Sequence, residues 1–211
     1  MPLPLYSKIH AVSYLIPATI GTARFFSLSR AMRILVVLCV LACIDVAAQI
    51  FVALWIGNNL FISHFYVVVE FVMLCSVFYR SVPQKRTKNT LLMTGAAFVV
   101  FWAADLIFFF DPRQINTAIQ LVDRILLIVM STITLQAVMR DEGSSLLERP
   151  VFWAAISVIL YSAGSLMAVG LGNQLMALGR DYFVFAWNIN WTLIIIANIL
   201  YAKGMLCKSQ T

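Results

Sequence analysis

The chain has 211 residues, of which 62% are hydrophobic and 11% charged, and its mean hydropathy is +0.92. Soluble domains are about 45–50% apolar and about 25% charged. This composition excludes a disordered chain, a nucleic-acid-binding module and an ordinary cytoplasmic enzyme. It predicts an all-α fold, a polytopic bundle of transmembrane helices.

Seven segments are candidates for membrane-spanning helices, each of which needs about 20 mostly apolar residues. In chain order they are Ile9–Phe26, Ile34–Ile56, Leu60–Tyr79, Leu91–Phe110, Ile115–Met139, Val151–Leu171 and Tyr182–Leu206. The linkers between them are short and leave no room for a soluble domain. The sequence therefore predicts one helical bundle over residues 1–211.

The first segment is the weakest of the seven, because it contains Pro17 and Gly21 and ends beside Arg24. Its alternative interpretation is a signal peptide, with Lys8 preceding an apolar stretch. A small-residue cleavage site is not evident before the next span. We therefore expect a retained first helix.

The basic residues are distributed unequally between the two sets of loops. Eleven of the 15 lie on one side: Arg24, Arg30, Arg33, Arg80, Lys85, Arg86, Lys88, Arg140, Arg149, Lys203 and Lys208. Lys8, Arg113 and Arg180 lie on the other side, and Arg124 lies within a span. Because cytoplasmic loops carry the excess of Lys and Arg, we expect an external N-terminus and a cytoplasmic C-terminus. The same rule accounts for the net charge of +6.

Five charged residues lie well inside predicted spans: Asp45, Glu70, Asp105, Asp123 and Arg124. Each costs roughly 2.5–3.5 kcal/mol at the centre of a bilayer, so these side chains should face the bundle interior or a cavity. Asp123 and Arg124 are neighbours on one helix and are expected to point in different directions, about 100° apart. Arg124 is therefore expected to pair with an acid on another helix, either Glu70, Asp45 or Asp105.

Four acids against one base leave an excess of negative charge within the membrane. Such an excess requires that some carboxyl groups be protonated, hydrated or neutralised by a cation. One interpretation is a packing network in which neutral acids accept or donate hydrogen bonds. The other is a binding site for a proton, a metal cation or an organic amine.

Polar residues in the spans are concentrated in the half that the orientation places outside. They are Gln49, His64, Asp105, Gln120, Asp123, Arg124, Asn188 and Asn190. Trp187 and Trp191 share a face of the last helix, as the walls of a cavity or as anchors at the membrane interface. We expect an outward-facing pocket whose candidate residues are Asp45, His64, Glu70, Asp105, Gln120, Asp123, Arg124, Trp187, Asn188 and Asn190.

Patterns typical of enzymes and cofactor sites are not evident. The two histidines, His10 and His64, are far apart, no H-x-x-x-H or H-E-x-x-H motif occurs, and Ser162–Ser165 lacks a nucleophile turn. The cysteines Cys39, Cys43, Cys75 and Cys207 show no metal-ligand spacing. The sequence favours a protein without enzymatic activity, metal or cofactor, although acid–base hydrolysis by paired aspartates stays open.

The sequence resembles a family of small, uncharacterised bacterial seven-helix membrane proteins. The similar positions are Leu15-Ile16-Pro17 with Arg24 and Arg30; His64-Phe65-Tyr66 with Glu70-Phe71; Pro150-Val151-Phe152-Trp153 with Tyr161 and Gly164; and Trp187-Asn188 with Asn198-Ile199-Leu200. They cover nearly the whole chain as scattered residues. The resemblance implies seven helices and a multi-pass protein of the bacterial inner membrane, and it implies no activity.

Three functions remain open from the sequence. The leading hypothesis is a receptor-like sensor that binds a small cationic or protonatable ligand and contacts a cytoplasmic signalling partner through its basic loops. The second is a small proton- or cation-coupled transporter or channel using Asp45, Glu70 and Asp123. The third is a structural or assembly subunit. In each case the lipid bilayer is a partner and nucleic acid is not.

Overall fold

A computed structural model describes residues 5–55, 57–111, 116–140 and 145–207. Within these ranges the chain forms nine α-helices and two short 3-10 helices, at Phe25–Ser27 and Leu146–Glu148. The α-helices are α1 (Leu5–Ser13), α2 (Leu15–Ala23), α3 (Arg30–Trp55), α4 (Leu60–Ser81), α5 (Lys85–Phe108), α6 (Thr117–Met139), α7 (Pro150–Gly170), α8 (Gly172–Leu178) and α9 (Arg180–Leu206). The all-helical prediction is confirmed for these residues.

Six helices, α3 to α7 and α9, are long and apolar enough to cross a membrane. Their surfaces carry the expected apolar side chains, since Phe51, Val100 and Phe185 are 61–69% exposed. In water such exposure would be costly, whereas in a bilayer these groups contact lipid. The predicted spans match these helices, except that α3 and α5 begin before the predicted spans. Their first turns are basic and polar, so the search for apolar segments did not include them. Ile56 and Ile115, which end and begin predicted spans, lie outside the described residues, as do Arg113 and Lys208.

The first predicted span is a broken helix. Pro17 has no backbone N–H to donate to the carbonyl of Ser13, four residues earlier, and the helix is interrupted at Tyr14. The Ser13 hydroxyl donates to the His10 carbonyl at 2.7 Å and accepts from the Asn198 amide of α9 at 2.9 Å. The break is therefore held by polar contacts to the last helix, and α2 packs against α3 and α9.

Helices α7 and α9 form an extensive interhelical contact. A Cβ atom at Gly164 of α7 would collide with the Leu193 side chain of α9. The Ser157 hydroxyl donates to the Ala197 carbonyl at 2.8 Å. Gly164 thus lets two helices of one chain approach closely, as expected for a small residue in a membrane bundle.

The apolar core is concentrated toward one end of the bundle. In α3 every buried residue lies between Ala31 and Ala42, and none lies in the following half of the helix. Phe71 and Phe98 stack within this core with ring centroids 4.1 Å apart. Arg24 and Arg149 close the same end by donating to the carbonyls of Met205 and Val138. The bundle is therefore tightly packed at the end that carries the basic residues and more open at the other.

Candidate ligand-binding cavity

A cavity of about 340 Å³ lies in the more open half of the bundle. Its lining comes from α1, α3, α4, α6, α7 and α9, together with Tyr14 at the helix break and Asn59 before α4. The volume falls within the range of about 300–1,000 Å³ that is typical of small-molecule sites. The cavity has room for a small organic ligand.

An ion pair between two helices lies at the deep side of the cavity. Both terminal nitrogens of Arg124 on α6 donate to one Glu70 oxygen on α4 at 3.3 Å. The Glu70 and Arg124 side chains are 11% and 6% exposed. The expectation that Arg124 pairs with an acid on another helix is confirmed, and the partner is Glu70.

Arg124 has two further contacts. Its guanidinium carbon lies 4.2 Å from the ring centroid of Tyr161 on α7, a cation–π contact. One terminal nitrogen lies 3.0 Å from an Asp123 oxygen. The expectation that Asp123 and Arg124 point apart is wrong, because the long arginine side chain bends back across the helix surface to its neighbour. The contact lacks hydrogen-bond geometry: neither Asp123 oxygen has a hydrogen-bond partner among the described residues.

Asp45 is the second carboxylate that lines the cavity. Gln49, one helical turn later on α3, donates its side-chain amide to Asp45 at 2.6 Å. Asn59 donates to the Gln49 backbone carbonyl at 3.3 Å, so the loop before α4 supports this turn. In the described part of the chain Asp45 forms no ion pair with a basic residue. The cavity therefore contains one carboxylate neutralised by Arg124 and one that is not.

Aromatic side chains form much of the remaining wall. Phe183 and Trp187 of α9 stack with centroids 4.6 Å apart, and His10 of α1 stacks on Trp191 at 5.7 Å. Tyr14, Tyr66 and Tyr161 line the cavity as well. Aromatic faces attract cations, and most strongly where water is excluded. The wall is chemically suited to a cation that the unneutralised carboxylate would hold.

Three buried polar atoms in the lining have no hydrogen-bond partner among the described residues. They are the side-chain oxygen of Asn190, the Nε2 atom of His10 and the Nε atom of Arg124. A buried polar group left unpaired is costly, so the Asn190 oxygen is available to a bound donor. An ammonium group would supply hydrogen bonds to Asn190 and to Asp45.

Two further spaces, one larger and one smaller, adjoin the cavity along the bundle. Toward the open end, a space of about 440 Å³ shares His10, Gln49, Asn59, Trp187 and Trp191 with it. Toward the basic end, a space of about 50 Å³ shares the aromatic residues Tyr14, Tyr66 and Tyr161 along with Glu70. The three spaces form a row that widens toward the open end.

His64 and Asp105 belong to a different cluster, which lies between α4, α5 and the beginning of α6. Asn116 donates its amide to Asp105 and lies 3.4 Å from His64 Nδ1, while its oxygen caps α6 by accepting from the Ile119 N–H at 3.1 Å. His64 stacks on Trp102, whose indole donates to the His64 carbonyl at 3.0 Å. Neither His64 nor Asp105 lines the central cavity.

The structure thus brings together part of the residue set predicted from sequence. Asp45, Glu70, Gln120, Arg124, Trp187 and Asn190 line the cavity, and Asp123 touches it only through Arg124. Asn188 is half-buried outside the lining, on another face of α9. Residues of the lining that were not predicted include His10, Tyr14, Tyr66 and Tyr161. No sequence signal marks His10, because its place in the wall depends on the contact between Ser13 and Asn198.

Comparisons with protein-family models, with curated proteins and with solved structures returned no match to this chain. In the described residues, no group of three or more His, Cys, Asp or Glu side chains is arranged to hold a metal ion.

Proposed function

We propose that the protein is a receptor-like sensor of the bacterial inner membrane that binds a small organic cation, a protonated amine, in its central cavity. The observation that carries this proposal is the contrast between the two lining carboxylates. Glu70 is neutralised by Arg124, whereas Asp45 lines a cavity of about 340 Å³ without a basic partner in the described chain. An ammonium group bound beside Asp45 would supply the missing positive charge.

The chemistry of the wall favours an amine over a bare inorganic cation. Tyr and Trp faces attract organic cations, and the unpaired oxygen of Asn190 accepts a hydrogen bond from an N–H group. A metal ion would instead prefer several oxygen ligands held close together. The lining offers one carboxylate without a basic partner in the described chain together with several aromatic rings, which suits an ammonium with an aromatic or alkyl substituent.

The proposal includes seven membrane crossings with the open end outside. Helices α1 and α2 together run from Leu5 to Ala23, about 28 Å at roughly 1.5 Å per residue, close to the thickness of the hydrocarbon core. The end that carries Arg24, Arg80 and Arg149 is then cytoplasmic by the distribution of basic residues. The cavity and its wider neighbour face the outside.

Thermal stability of the purified protein tests the proposal with two matched probes. Phenethylamine carries an ammonium group at neutral pH, and 2-phenylethanol has the same ring and spacer without the charge. We expect phenethylamine to raise the melting temperature in a concentration-dependent way and 2-phenylethanol to leave it unchanged. Asp45→Asn should abolish the shift, and Asp181→Asn, which removes an exposed acid outside the lining, should keep it. Equal shifts with both probes, or in both variants, would contradict the proposal.

A transporter is the second candidate, favoured by the row of three spaces that extends past Glu70 toward Tyr201 and Leu38. The decisive measurement is flux into proteoliposomes. Phenethylamine-driven proton or charge movement that is lost in Asp45→Asn would replace the sensor proposal by a transport function. Binding without flux would favour the sensor.

A further inference from the structure

A further cavity, lined in part by basic residues, lies at the opposite end of the bundle. It has a volume of about 320 Å³ and lies between the beginning of α3, the end of α4 and the beginnings of α5 and α7. Its lining residues are Ser29, Arg30, Ala31, Tyr79, Arg80, Ser81, Lys88 and Val151. Three of them are basic and none is acidic.

The helix ends around this cavity add to its positive charge. Helices α3, α5 and α7 all begin here, and none has an acidic residue in its first turn. The first N–H groups of a helix have no intrahelical acceptor and carry partial positive charge. Arg30 and Lys88, near two of these helix starts, lie where the helix dipole favours an anion. Of the helix ends around this cavity, only the C-terminal end of α4, beside Arg80, carries partial negative charge.

In the part of the chain that the structure describes, the basic groups of this cavity form no ion pair with a protein acid. Among the described residues, the ion pairs involve only Arg124 with Glu70 and Asp123, at the other cavity. Lys88 has a partner of another kind, since its ammonium lies 5.4 Å from the ring centroid of Tyr79. Ser29 accepts a long hydrogen bond from the Met32 N–H at 3.4 Å, which leaves its hydroxyl proton free to donate.

The geometry points to a binding site for the phosphate headgroup of an anionic phospholipid, held by Arg30, Arg80 and Lys88 beside the start of α3. Guanidinium groups and helix N-termini both bind phosphate oxygens. The cavity lies at the membrane end of the bundle, and its rim includes Tyr79, an amphipathic ring that is 38% exposed. A headgroup anchored there would place its acyl chains along the apolar surface of the neighbouring helices.

Lys85 and Arg86 provide a matched control for general electrostatic attraction. Both are exposed at the same end of the bundle, in the first turn of α5, and neither lines the cavity. The double variants Arg30→Gln/Arg80→Gln and Lys85→Gln/Arg86→Gln remove the same charge from the protein. A difference between them reports on the cavity itself.

Native mass spectrometry of the detergent-purified protein measures bound phospholipid directly. We expect phosphatidylglycerol to bind and phosphatidylcholine not to. Arg30→Gln/Arg80→Gln should weaken the apparent affinity for phosphatidylglycerol roughly 30-fold, since each neutralised basic residue near a membrane surface costs a factor of about five. Lys85→Gln/Arg86→Gln should change it less than threefold. Circular dichroism and elution volume establish that both variants remain folded.

Two outcomes would overturn the assignment. Equal losses of affinity for phosphatidylglycerol in the two double variants would mean that lipid binding depends only on the overall charge at this end of the bundle. Displacement of phosphatidylglycerol by millimolar inorganic phosphate, with stabilisation of the protein by phosphate alone, would mean that the site takes a soluble anion. Failure of phosphate to compete would support the lipid headgroup as the ligand.

Discussion

Arg124 donates from both terminal nitrogens to a single Glu70 oxygen at 3.3 Å, joining α6 to α4 at the deep side of the central cavity. The pair is almost fully buried, so each charge depends on the other for compensation. Of the two carboxylates that line the cavity, Glu70 is therefore neutralised within the protein, whereas Asp45 has no basic partner among the described residues.

Removing one partner of this pair should destabilise the protein strongly. Glu70→Gln leaves a buried guanidinium with the Tyr161 ring and the poorly oriented Asp123 contact, and we expect a loss of about 3 kcal/mol in the free energy of unfolding. The Glu70→Gln/Arg124→Gln double variant should lose less than the sum of the two single variants, because it leaves no isolated charge on either residue. Unfolding in mixed micelles titrated with SDS measures the free energy of unfolding of the single variants and of the double variant. Strict additivity would contradict the pairing.

The approach of α7 to α9 depends on Gly164. Gly164→Ala places a methyl group against the Leu193 side chain and should cost about 1–3 kcal/mol by overpacking. Leu193→Ala in the same chain should recover most of that loss. Ala163→Val, which enlarges an exposed residue next to it, is the control and should have little effect on thermal stability.

Asn116 should stabilise the beginning of α6 by two separate contacts. Asn116→Ala removes the cap to the Ile119 N–H and the hydrogen bond to Asp105, and we expect a loss of about 1–2 kcal/mol. Asn116→Ser restores a capping oxygen without the amide donor, so it should recover part of the stability. Identical melting temperatures for the Ala and Ser variants would show that the cap contributes nothing.

Cysteine labelling tests whether α1 and α2 cross the membrane. In a variant without native cysteines, Lys8→Cys should react with an impermeant maleimide from outside the cell. Ser27→Cys and Ser145→Cys, at exposed positions of the basic end, should react only after permeabilisation. Labelling of positions 8 and 27 from the same side would contradict a seventh crossing.

Composition and hydropathy were sufficient to predict the long helices, because lipid-facing surface requires continuous apolar segments whatever the packing. The same rule underestimated α5, whose first turn begins at Lys85 and continues the helix beyond the apolar stretch. The break at Tyr14 and the short helix α8 depend on local backbone constraints, which a hydropathy window averages away.

The candidate site was only partly predictable. The pairing of Arg124 with an acid on another helix was predictable because buried charges must find partners, but the sequence left Glu70, Asp45 and Asp105 open as that acid. The separation of His64 and Asp105 from the central cavity depends on how α5 packs beside α4, which periodicity does not encode. His10 lies in a segment that hydropathy marks as weak. Its role in the wall depends on the Ser13–Asn198 contact that holds α1 against α9.

Direct calorimetric titration of the protein with phenethylamine, in the wild type and in Asp45→Asn, tests the central claim. The account predicts saturable binding with one site in the wild type and in Asp181→Asn. It predicts at least a tenfold weaker affinity in Asp45→Asn, and no binding of 2-phenylethanol to any of them. Unchanged affinity in Asp45→Asn would contradict the claim that the unneutralised carboxylate of the cavity holds a cation.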